Sequence, residues 1–462
     1  MSPSRSHLAV DIGTSSLKAA LLDDHGSPLG STKVSFAGMS GADLGAWDPS
    51  VWDTAFRQAL GTLKDGKKAS SVTISGNGPT LVPLKKDGSL AGPALLWLQR
   101  RSPAEIPPDS FSYFLPAAGW FRETQPDLFE KTAVFVTCPG YLSYRLTGLA
   151  SAACPGRDFS PFMWDSPQLS AWGFEASLFP DLLFTGDRIG GVSARAAEEF
   201  GLGRGVPVYA GGPDYMMAII GSGAVRPGIS CDRAGTSEGI NYCSLRPVDS
   251  AFLRTLPHAV SGMYTVAGIL SSTGRVFEWF RRITNQTSRN YEDILREIYA
   301  LPLDAGSPRF FPSRHRGPIW DFDQGIFAGL QPDHTHVELG KGVVEAIAFG
   351  ILDVVETLNR EGCTVASLRG TGGQYRNLHW NRMKADILGI PLEIPRVIDA
   401  ELIGNLSAAL VGEGVYADLA QAAEDLVQID AVIEPEMDRH GRYRELYREY
   451  RAACDLIPGT GP

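Results

Sequence analysis

The sequence predicts an α/β fold of two related domains with an interdomain cleft. Strand-like apolar runs alternate along the chain with segments of helical periodicity. The string Gly-Thr-Ser follows a strand-like run twice, at 13–15 and at 235–237, about half of the 462-residue chain apart. Pro227 and Gly228 break the chain just before the second copy, so we predict domains over 1–225 and 226–462.

Hydrophobic patterning predicts both element types in the first half. The apolar run 7–12 is typical of a buried strand, and 18–22 follows closely enough to be its hairpin partner. Apolar residues recur at helical spacing over 49–63, with a proline near the first turn. The remaining predictions are a strand over 71–84, interrupted at 75–79, and a largely helical segment over 127–147.

The second half shows the same alternation. The segment 337–360 keeps apolar residues at helical spacing and predicts a long helix. A strand followed by a glycine turn is predicted over 365–373. Further helices are predicted at 273–284, at 380–389 and, as a polar helix with a solvated face, at 436–453.

Composition limits the class of protein. A hydrophobic content of 44% and a charged content of 20% are ordinary for a soluble globular enzyme. The net charge of −10 argues against binding to nucleic acid or anionic membranes. The six cysteines form no C-x-x-C pair, no apolar window approaches 18 residues, and no secretory signal is evident. We therefore expect reduced thiols and a cytoplasmic location.

The two Gly-Thr-Ser strings predict phosphate-binding hairpins. A glycine followed by hydroxyl residues presents backbone N–H and side-chain O–H donors without a blocking side chain, and such a nest suits phosphate oxygens. Gly13, Thr14 and Ser15 form the first nest, and Gly235 and Thr236 begin the second. One nest in each half predicts a nucleotide held between the two domains.

Three further features have both a functional and a structural interpretation. Asp11 ends a hydrophobic strand and could face a hydrated Mg²⁺, or cap its own turn; Lys18 could face the phosphates or the solvent. Asp214 follows a glycine-rich passage and could be a general base or a helix cap. Gly372-Gly373 could admit a flat base or simply form a turn.

Taken together, seven segments in order resemble the FGGY family of carbohydrate kinases, within the actin-like, sugar-kinase and chaperone ATPase superfamily. The likeness spans nearly the whole chain. The segments are D-I-G-T-S-S-L-K (11–18), W-D-P-S-V-W (47–52), G-Y-L-S-Y-R-L-T-G (140–148), V-P-V-Y-A-G-G-P-D-Y-M-M-A (206–218), R-A-G-T-S-E-G (233–239), G-I-F-A-G-L-Q-P-D-H-T (325–335) and G-G-Q-Y-R-N-L-H-W-N-R-M-K-A-D-I-L-G (372–389).

The resemblance implies two ribonuclease H-like, actin-like ATPase domains and an ATP-dependent kinase that uses Mg²⁺. It implies that Asp214 is the general base and that Asp11 lies on the magnesium side. The implied ATP-binding residues are Gly13, Thr14, Ser15, Ser16, Lys18, Gly235, Thr236, Gly372, Gly373 and Asn377. The implied acceptor-binding residues are Asn77, Gly78, Trp97, Gln99 and Asp214.

Departures from the family pattern concern the acceptor. Where the family commonly has W-x-D-x-R, this chain has Gln99 at the aspartate position. The S-G-Q-M-H-G stretch of xylulokinases reads S-G-N-G-P-T over 75–80, and the third glycine of the adenosine segment is Gln374. Xylulose therefore does not follow directly from the resemblance.

We expect a kinase that phosphorylates a small sugar, a pentulose-like ketose or a polyol, acting without nucleic acid or membrane partners. A homodimer is the default expectation for its assembly. Two alternatives stay open: a catalytically silent sugar-sensing protein of the same fold, and a kinase for an unusual linear acceptor such as a diketone hydrate or a tetritol.

Overall fold

The chain folds into two compact units, each built around its own sheet. The structure is a computed structural model that describes residues 5–99, 101–303, 306–312, 322 and 324–456. Unit 1 comprises Met1–Val225, Pro257–Gly262 and Ala400–Val427. Unit 2 comprises Arg226–Leu256, Met263–Asp399 and Gln428–Pro462. The resemblance assigns sugar binding and the first phosphate hairpin to 1–225 and most of nucleotide binding to 226–462, and this division stays a prediction.

The described elements alternate between strand and helix. The strands are β1 Ser6–Ile12, β2 Ser16–Asp23, β3 Pro28–Ser35, β4 Ser71–Gly76, β5 Leu81–Leu84, β6 Val134–Thr137, β7 Ala152–Cys154, β8 Leu182–Phe184, β9 Arg188–Gly191, β10 Pro207–Pro213, β11 Ser230–Ala234, β12 Glu238–Ser244, β13 Arg254–Pro257, β14 Tyr264–Leu270, β15 Arg309–Phe311, β16 Ile326–Ala328, β17 Leu368–Thr371, β18 Leu392–Pro395 and β19 Ile429–Ile433. The helices are α1 Ser50–Thr62, α2 Leu115–Thr124, α3 Pro126–Phe129, α4 Cys138–Thr147, α5 Ser160–Met163, α6 Ser166–Ala171, α7 Ala194–Phe200, α8 Asp214–Gly221, α9 Thr273–Ile283, α10 Tyr291–Ala300, α11 His336–Arg360, α12 Leu378–Leu388, α13 Ala400–Gly412, α14 Leu419–Leu426 and α15 Met437–Leu456.

In unit 1 the principal sheet has the strand order β3-β2-β1-β4-β10-β9. Strands β1, β4 and β10 run parallel, whereas β2, β3 and β9 join antiparallel to their neighbours. The carboxyl ends of β1, β4 and β10 therefore meet at one edge of the sheet, with Gly76 in register with both Ile12 and Pro213. Ligands of open α/β sheets bind at such an edge.

Unit 2 repeats this topology. Its sheet has the order β13-β14-β12-β11-β17-β18-β19. From β14 to β19, two antiparallel pairs, two parallel pairs and a final antiparallel pair follow in the same sequence as in unit 1. The predicted Gly-Thr-Ser hairpins connect β1 to β2 and β11 to β12, at equivalent places in the two sheets.

Two sequence predictions are confirmed only in part. The segment 127–147 is largely helical, through α3 and α4, but Val134–Thr137 between them forms β6 and pairs with β5; its β-branched and aromatic residues favour a strand. The polar C-terminal helix is present as α15, but one face is buried through Tyr443, Tyr447 and Tyr450. Those residues recur at spacings of four and three, the signature of a packed helical face.

Helices α8 and α13 of unit 1 lie close together because each has a glycine at the contact. A Cβ built on Gly221 would lie 1.8 Å from the Ala400 carbonyl oxygen, and one on Gly404 would lie 2.1 Å from that of Met217. No other residue type fits there without moving one backbone away from the other. Among the described residues, no helix combines the length and apolarity of a membrane span.

We predict that Gly404→Ala destabilises unit 1 by on the order of 1–3 kcal/mol, because the added methyl group overpacks the helix contact. Gly61→Ala is the matched control: Gly61 is exposed within α1 and nothing lies within 4 Å of the added Cβ. It should be neutral or stabilising by up to about 1 kcal/mol. Calorimetric unfolding measures both, and equal midpoints for the two variants would contradict the prediction.

Candidate active site

The first Gly-Thr-Ser hairpin is a tight turn at the carboxyl end of β1. The Gly13 N–H donates to the Ser16 carbonyl oxygen at 3.0 Å, which closes the turn. Ser16 is buried at the start of β2, whereas Thr14 is partly exposed and Ser15 is exposed. The tip thus presents the hydroxyls of Thr14 and Ser15, and Ser16 belongs to its base.

Asp11 lies inside the sheet just before this hairpin and is 2% exposed. It stands opposite Lys18 on β2 and opposite Ser75 on β4, whose Oγ donates to Asp11 Oδ1 at 2.7 Å. Burial and the Glu401 carboxylate, with a smaller contribution from Asp214, raise the pKa of Asp11 to about 8 despite Lys18 and Ser75. Near neutral pH and without a bound cation, Asp11 is therefore mostly protonated, because Lys18 and Ser75 do not offset burial and the neighbouring carboxylates.

Helix α13 supplies two residues that sequence reasoning missed. Glu401 forms an ion pair with Lys18, Oε2 to Nζ 3.4 Å. One turn later, the buried Asn405 donates through Nδ2 to the Val10 carbonyl oxygen and to Ser75 Oγ, each at 2.9 Å. The i, i+4 spacing places both side chains on one helix face, but nothing in the sequence says that this face covers β1.

Asp214 is the first residue of α8, directly after β10. Its Oδ1 accepts the Tyr215 backbone N–H at 2.6 Å, a contact that holds the carboxylate at the helix start. Its charge contributes to the raised pKa of Asp11, as expected from the shared sheet edge. The structure therefore brings together the two aspartates that the sequence singled out.

Asn77 supports the first hairpin from β4. Its Nδ2 donates to the carbonyl oxygens of Ile12 and Gly13 at 3.1 and 3.0 Å, and its Oδ1 accepts from Thr80 Oγ1 at 2.8 Å. The amide is 4% exposed and each of its polar atoms is in use. Asn77 therefore fixes the path of the hairpin.

A small pocket opens beside this hairpin. Tryptophans dominate its wall, and the Trp97 indole N–H donates to Thr14 Oγ1 at 3.4 Å. The lining residues are Gly13, Thr14, Trp47, Trp52, Asn77, Leu96, Trp97 and Leu98. Gly78 and Gln99 are absent from this wall, and the Gln99 side-chain amide instead donates to the Leu44 carbonyl oxygen. Trp47 and Trp52 belong to a segment that the sequence had flagged but to which it had assigned no site role.

The second hairpin, in unit 2, also has a tight turn, but its turn closes one residue earlier than that of the first. The Gly235 N–H donates to the Ser237 carbonyl oxygen at 2.9 Å, and Gly235 and Thr236 are exposed. The start of α9 packs against its tip: a Cβ on Gly274 would lie 2.3 Å from the Gly235 carbonyl oxygen.

The glycine turn after β17 lies against this hairpin. Gly372 has φ +90°, and a Cβ there would lie 2.1 Å from the Ala234 carbonyl oxygen, whereas Gly373 faces open space. Gln374 donates to the Gly235 carbonyl oxygen at 3.2 Å. Asn377 caps α12 by accepting the Trp380 N–H, and its Nδ2 donates to Glu292. The structure thus brings Gly235, Gly372 and Gly373 together and uses Asn377 to begin the helix behind them.

Among the described residues, no group of three or more His, Cys, Asp or Glu side chains is arranged to hold a metal ion. A metal at Asp11 would need most of its ligands from elsewhere, as Mg²⁺ does when it binds through one or two carboxylates, waters and phosphate oxygens.

Comparisons with known proteins identify the fold. The N-terminal domain of the FGGY family of carbohydrate kinases matches residues 112–221, and its C-terminal domain matches 233–413. A xylulose kinase structure from Rhodospirillum rubrum superimposes with a TM-score of 0.78 at 21% identity, over 98% of this chain and 99% of that one. Plasmodium falciparum glycerol kinase with ADP gives a TM-score of 0.80 at 17% identity, over 98% of each chain.

Sequence relatives agree with the structural match. Xylulose kinase of Staphylococcus epidermidis is 25% identical over 96% of this chain and 95% of its own length. Autoinducer-2 kinase of Klebsiella pneumoniae is 27% identical over 74% of this chain and 68% of its own. The predicted α/β fold of actin-like ATPase domains is thereby confirmed, and, since both family domains match in order over well over half of its length, the chain belongs to the FGGY family of carbohydrate kinases.

Proposed function

We propose that this kinase transfers the γ-phosphate of ATP to a hydroxyl of a small sugar, a pentulose-like ketose or a polyol, with Asp214 as general base. The observation that supports this most directly is the meeting of Asp11, the first hairpin and Asp214 at the carboxyl ends of β1, β4 and β10. The tryptophan-lined pocket described above opens beside the same hairpin.

In the proposed step the acceptor hydroxyl oxygen attacks the γ-phosphorus, the bond to the β,γ-bridging oxygen breaks, and ADP leaves. The hydroxyl proton passes to an Asp214 carboxylate oxygen. Phosphoryl transfer depends mainly on alignment and neutralisation of charge, and a positioned base adds about 10²–10⁴-fold. The Tyr215 N–H bond keeps the Asp214 carboxylate oriented for this role.

For the nucleotide, we propose that Gly235, Thr236 and the hydroxyls of Thr14 and Ser15 contact phosphate oxygens. Gly373 leaves open backbone against which a flat adenine can lie. Asn377 contributes indirectly, by capping the helix that follows the glycine turn. Lys18 is held by Glu401 and adds positive charge near the first hairpin.

The residues present also fit Mg²⁺ near Asp11. A carboxylate whose pKa is raised by burial and by surrounding negative charge is stabilised in its ionised form by a divalent cation. Bound there, Mg²⁺ would supply neutralisation of phosphate charge. Asp11 would hold it on one side, with waters and phosphate oxygens completing its shell.

The acceptor pocket favours a small ligand with an apolar face. Its wall has three tryptophans, and Asn77 and Gln99 already bind backbone carbonyls. These observations support a linear acceptor with fewer hydroxyl groups than a pentulose as a second candidate substrate. The silent sensor is disfavoured, since Asp11, Asp214 and both hairpins are intact.

We predict that Asp214→Asn lowers kcat by about 10²–10⁴-fold, because the amide cannot accept the hydroxyl proton. ATP affinity should change less than about threefold, since Asp214 is not assigned to the nucleotide. ADP release across a panel of ketoses, aldoses, polyols and linear diketone hydrates measures the first effect, and calorimetric titration with Mg-ATP the second. Asp127→Asn is the matched control, an exposed aspartate in the first turn of α3.

The two variants separate the possible roles of Asp214. Equal loss of transfer and of ATP affinity in Asp214→Asn would contradict a general base. If the wild type binds ATP but no acceptor in the panel accelerates ADP release, the sensing alternative is favoured. If only a linear acceptor accelerates ADP release, a linear acceptor replaces the pentulose as the proposed substrate.

We predict that Asp11→Asn stabilises the ligand-free, EDTA-treated protein at alkaline pH while abolishing transfer. The folded chain holds a proton on Asp11 that the unfolded chain has lost between pH 3.8 and about 8, so wild-type stability falls as pH rises through this window. The amide does not titrate. Its advantage in melting temperature should therefore be small at pH 5 and largest near pH 8.5. If the difference in melting temperature between Asp11→Asn and the wild type does not grow with pH, the raised pKa of Asp11 is contradicted.

A further inference from the structure

A charged cluster lies buried beneath the second hairpin. The Lys384 ammonium donates to Asp232 Oδ2 at 2.8 Å and to Glu238 Oε1 at 2.7 Å. All three side chains are essentially inaccessible to solvent. The Tyr375 hydroxyl donates to the same Asp232 oxygen at 2.5 Å, and the ammonium lies 4.5 Å above the Tyr375 ring.

The cluster lacks one positive charge if both carboxylates are ionised. The other two oxygens, Asp232 Oδ1 and Glu238 Oε2, are buried and have no hydrogen-bond donor among the described residues. A single proton held between these carboxyl groups would satisfy both oxygens and leave one carboxylate to balance Lys384. In agreement, burial and the Asp232 charge raise the pKa of Glu238 to about 8.

The three charged residues belong to three elements around the proposed nucleotide site. Asp232 is on β11, three residues before Gly235, and Glu238 begins β12 directly after Ser237. Lys384 is on α12, which follows the Gly372-Gly373 turn. One ammonium therefore holds both strands of the phosphate hairpin and the helix behind the adenosine segment.

We propose that Lys384 is a positioning residue for the nucleotide, which, with one proton shared by Asp232 and Glu238, fixes the second Gly-Thr-Ser hairpin against α12. The inference rests on the proposed nucleotide binding by unit 2. We assign Lys384 no contact with the phosphates or the base. It acts by holding Gly235 and Gly372 in fixed relative positions. The close approach of Gly372 to the Ala234 carbonyl oxygen leaves little tolerance for a shift of either element.

A purely structural role would predict a different result. Replacing a buried ion pair by apolar groups is often neutral for stability, but removing only one partner leaves charge uncompensated. Loss of stability alone would therefore not test the proposal. The informative quantity is the affinity for ATP compared with that for the acceptor.

The first experiment compares Lys384→Met with Lys341→Met in the full-length chain. Lys341 is the matched control: it is 2% exposed in α11, and its ammonium donates to the Pro302 and Leu303 carbonyl oxygens at 2.8 and 3.1 Å. We expect Lys384→Met to raise the Kd and KM for Mg-ATP at least tenfold, with the acceptor KM changed less than threefold. Lys341→Met should lose comparable stability and keep the Mg-ATP Kd within twofold of the wild type.

The second experiment tests the shared proton without removing Lys384. Glu238→Gln imitates the protonated carboxyl, since its Oε1 can accept from Lys384 and its NH₂ can donate to Asp232. It should weaken Mg-ATP binding less than threefold. The double variant Asp232→Asn, Glu238→Gln leaves the ammonium without a counter-charge and should weaken binding at least tenfold, more than the two single changes combined.

These outcomes distinguish failure of the inference from failure of the proposed function. If the wild type binds no Mg-ATP, nucleotide binding by unit 2 fails. If the wild type binds and folded Lys384→Met binds equally well, or loses affinity no more than Lys341→Met, the positioning role is wrong. If Lys384→Met fails to fold, the Asp232→Asn and Glu238→Gln variants test the proposal instead. A loss of Mg-ATP affinity in the double variant no larger than the two single losses combined would overturn the proposal.

Discussion

The site in unit 1 depends on a carboxyl group, that of Asp11, buried inside the sheet at the end of β1, where burial and neighbouring carboxylates favour its protonated form. A carboxylate taken out of water is costly unless it is paired, and Asp11 is paired only in part. Ser75 and Lys18 oppose its burial, while Glu401 and Asp214 add charge of the same sign. Asn405 then uses its amide to hold Val10 and Ser75 together beneath the carboxylate. The fold thus sustains an unbalanced site, and such imbalance is typical of sites that receive a charged ligand.

Unit 2 uses the same topology with the opposite electrostatic arrangement. Asp232 lies before the second hairpin much as Asp11 lies before the first, but Lys384 neutralises it from within. Glu238 accepts from the same ammonium, so the cluster needs one proton and no external cation. The repeated sheets therefore differ in whether the buried charge is balanced. A balanced cluster suits a rigid support, whereas an excess of carboxylates would suit a site that binds a cation.

Sequence patterns predicted the elements whose signals are local. The run 7–12, the two hairpins and the helix over 337–360 each have a pattern contained within a few turns or one strand. Strand β6 was missed because three apolar residues and a threonine directly before a helix resemble the start of that helix. Glu401, Asn405 and Lys384 could not be found in this way, because their partners lie 383, 395 and 152 residues away, respectively. The packing of α12 and α13 on the two sheets brings them together.

The departures from the family pattern acquire a structural meaning that bears on the acceptor. Gln99 donates to the Leu44 carbonyl oxygen, a bond that an aspartate at this position could not make, because both groups would be acceptors. Asn77 likewise donates to two backbone carbonyls beneath the hairpin. The polar atoms of Asn77 are then all in use, whereas Gln99 keeps a buried Oε1 that has no donor among the described residues. In the proposed function, selection of the substrate would fall to the tryptophan wall, where the indole N–H groups of Trp47 and Trp52 have no acceptor among the described residues. A substrate that combines an apolar face with an oxygen able to accept from an indole N–H would match that wall.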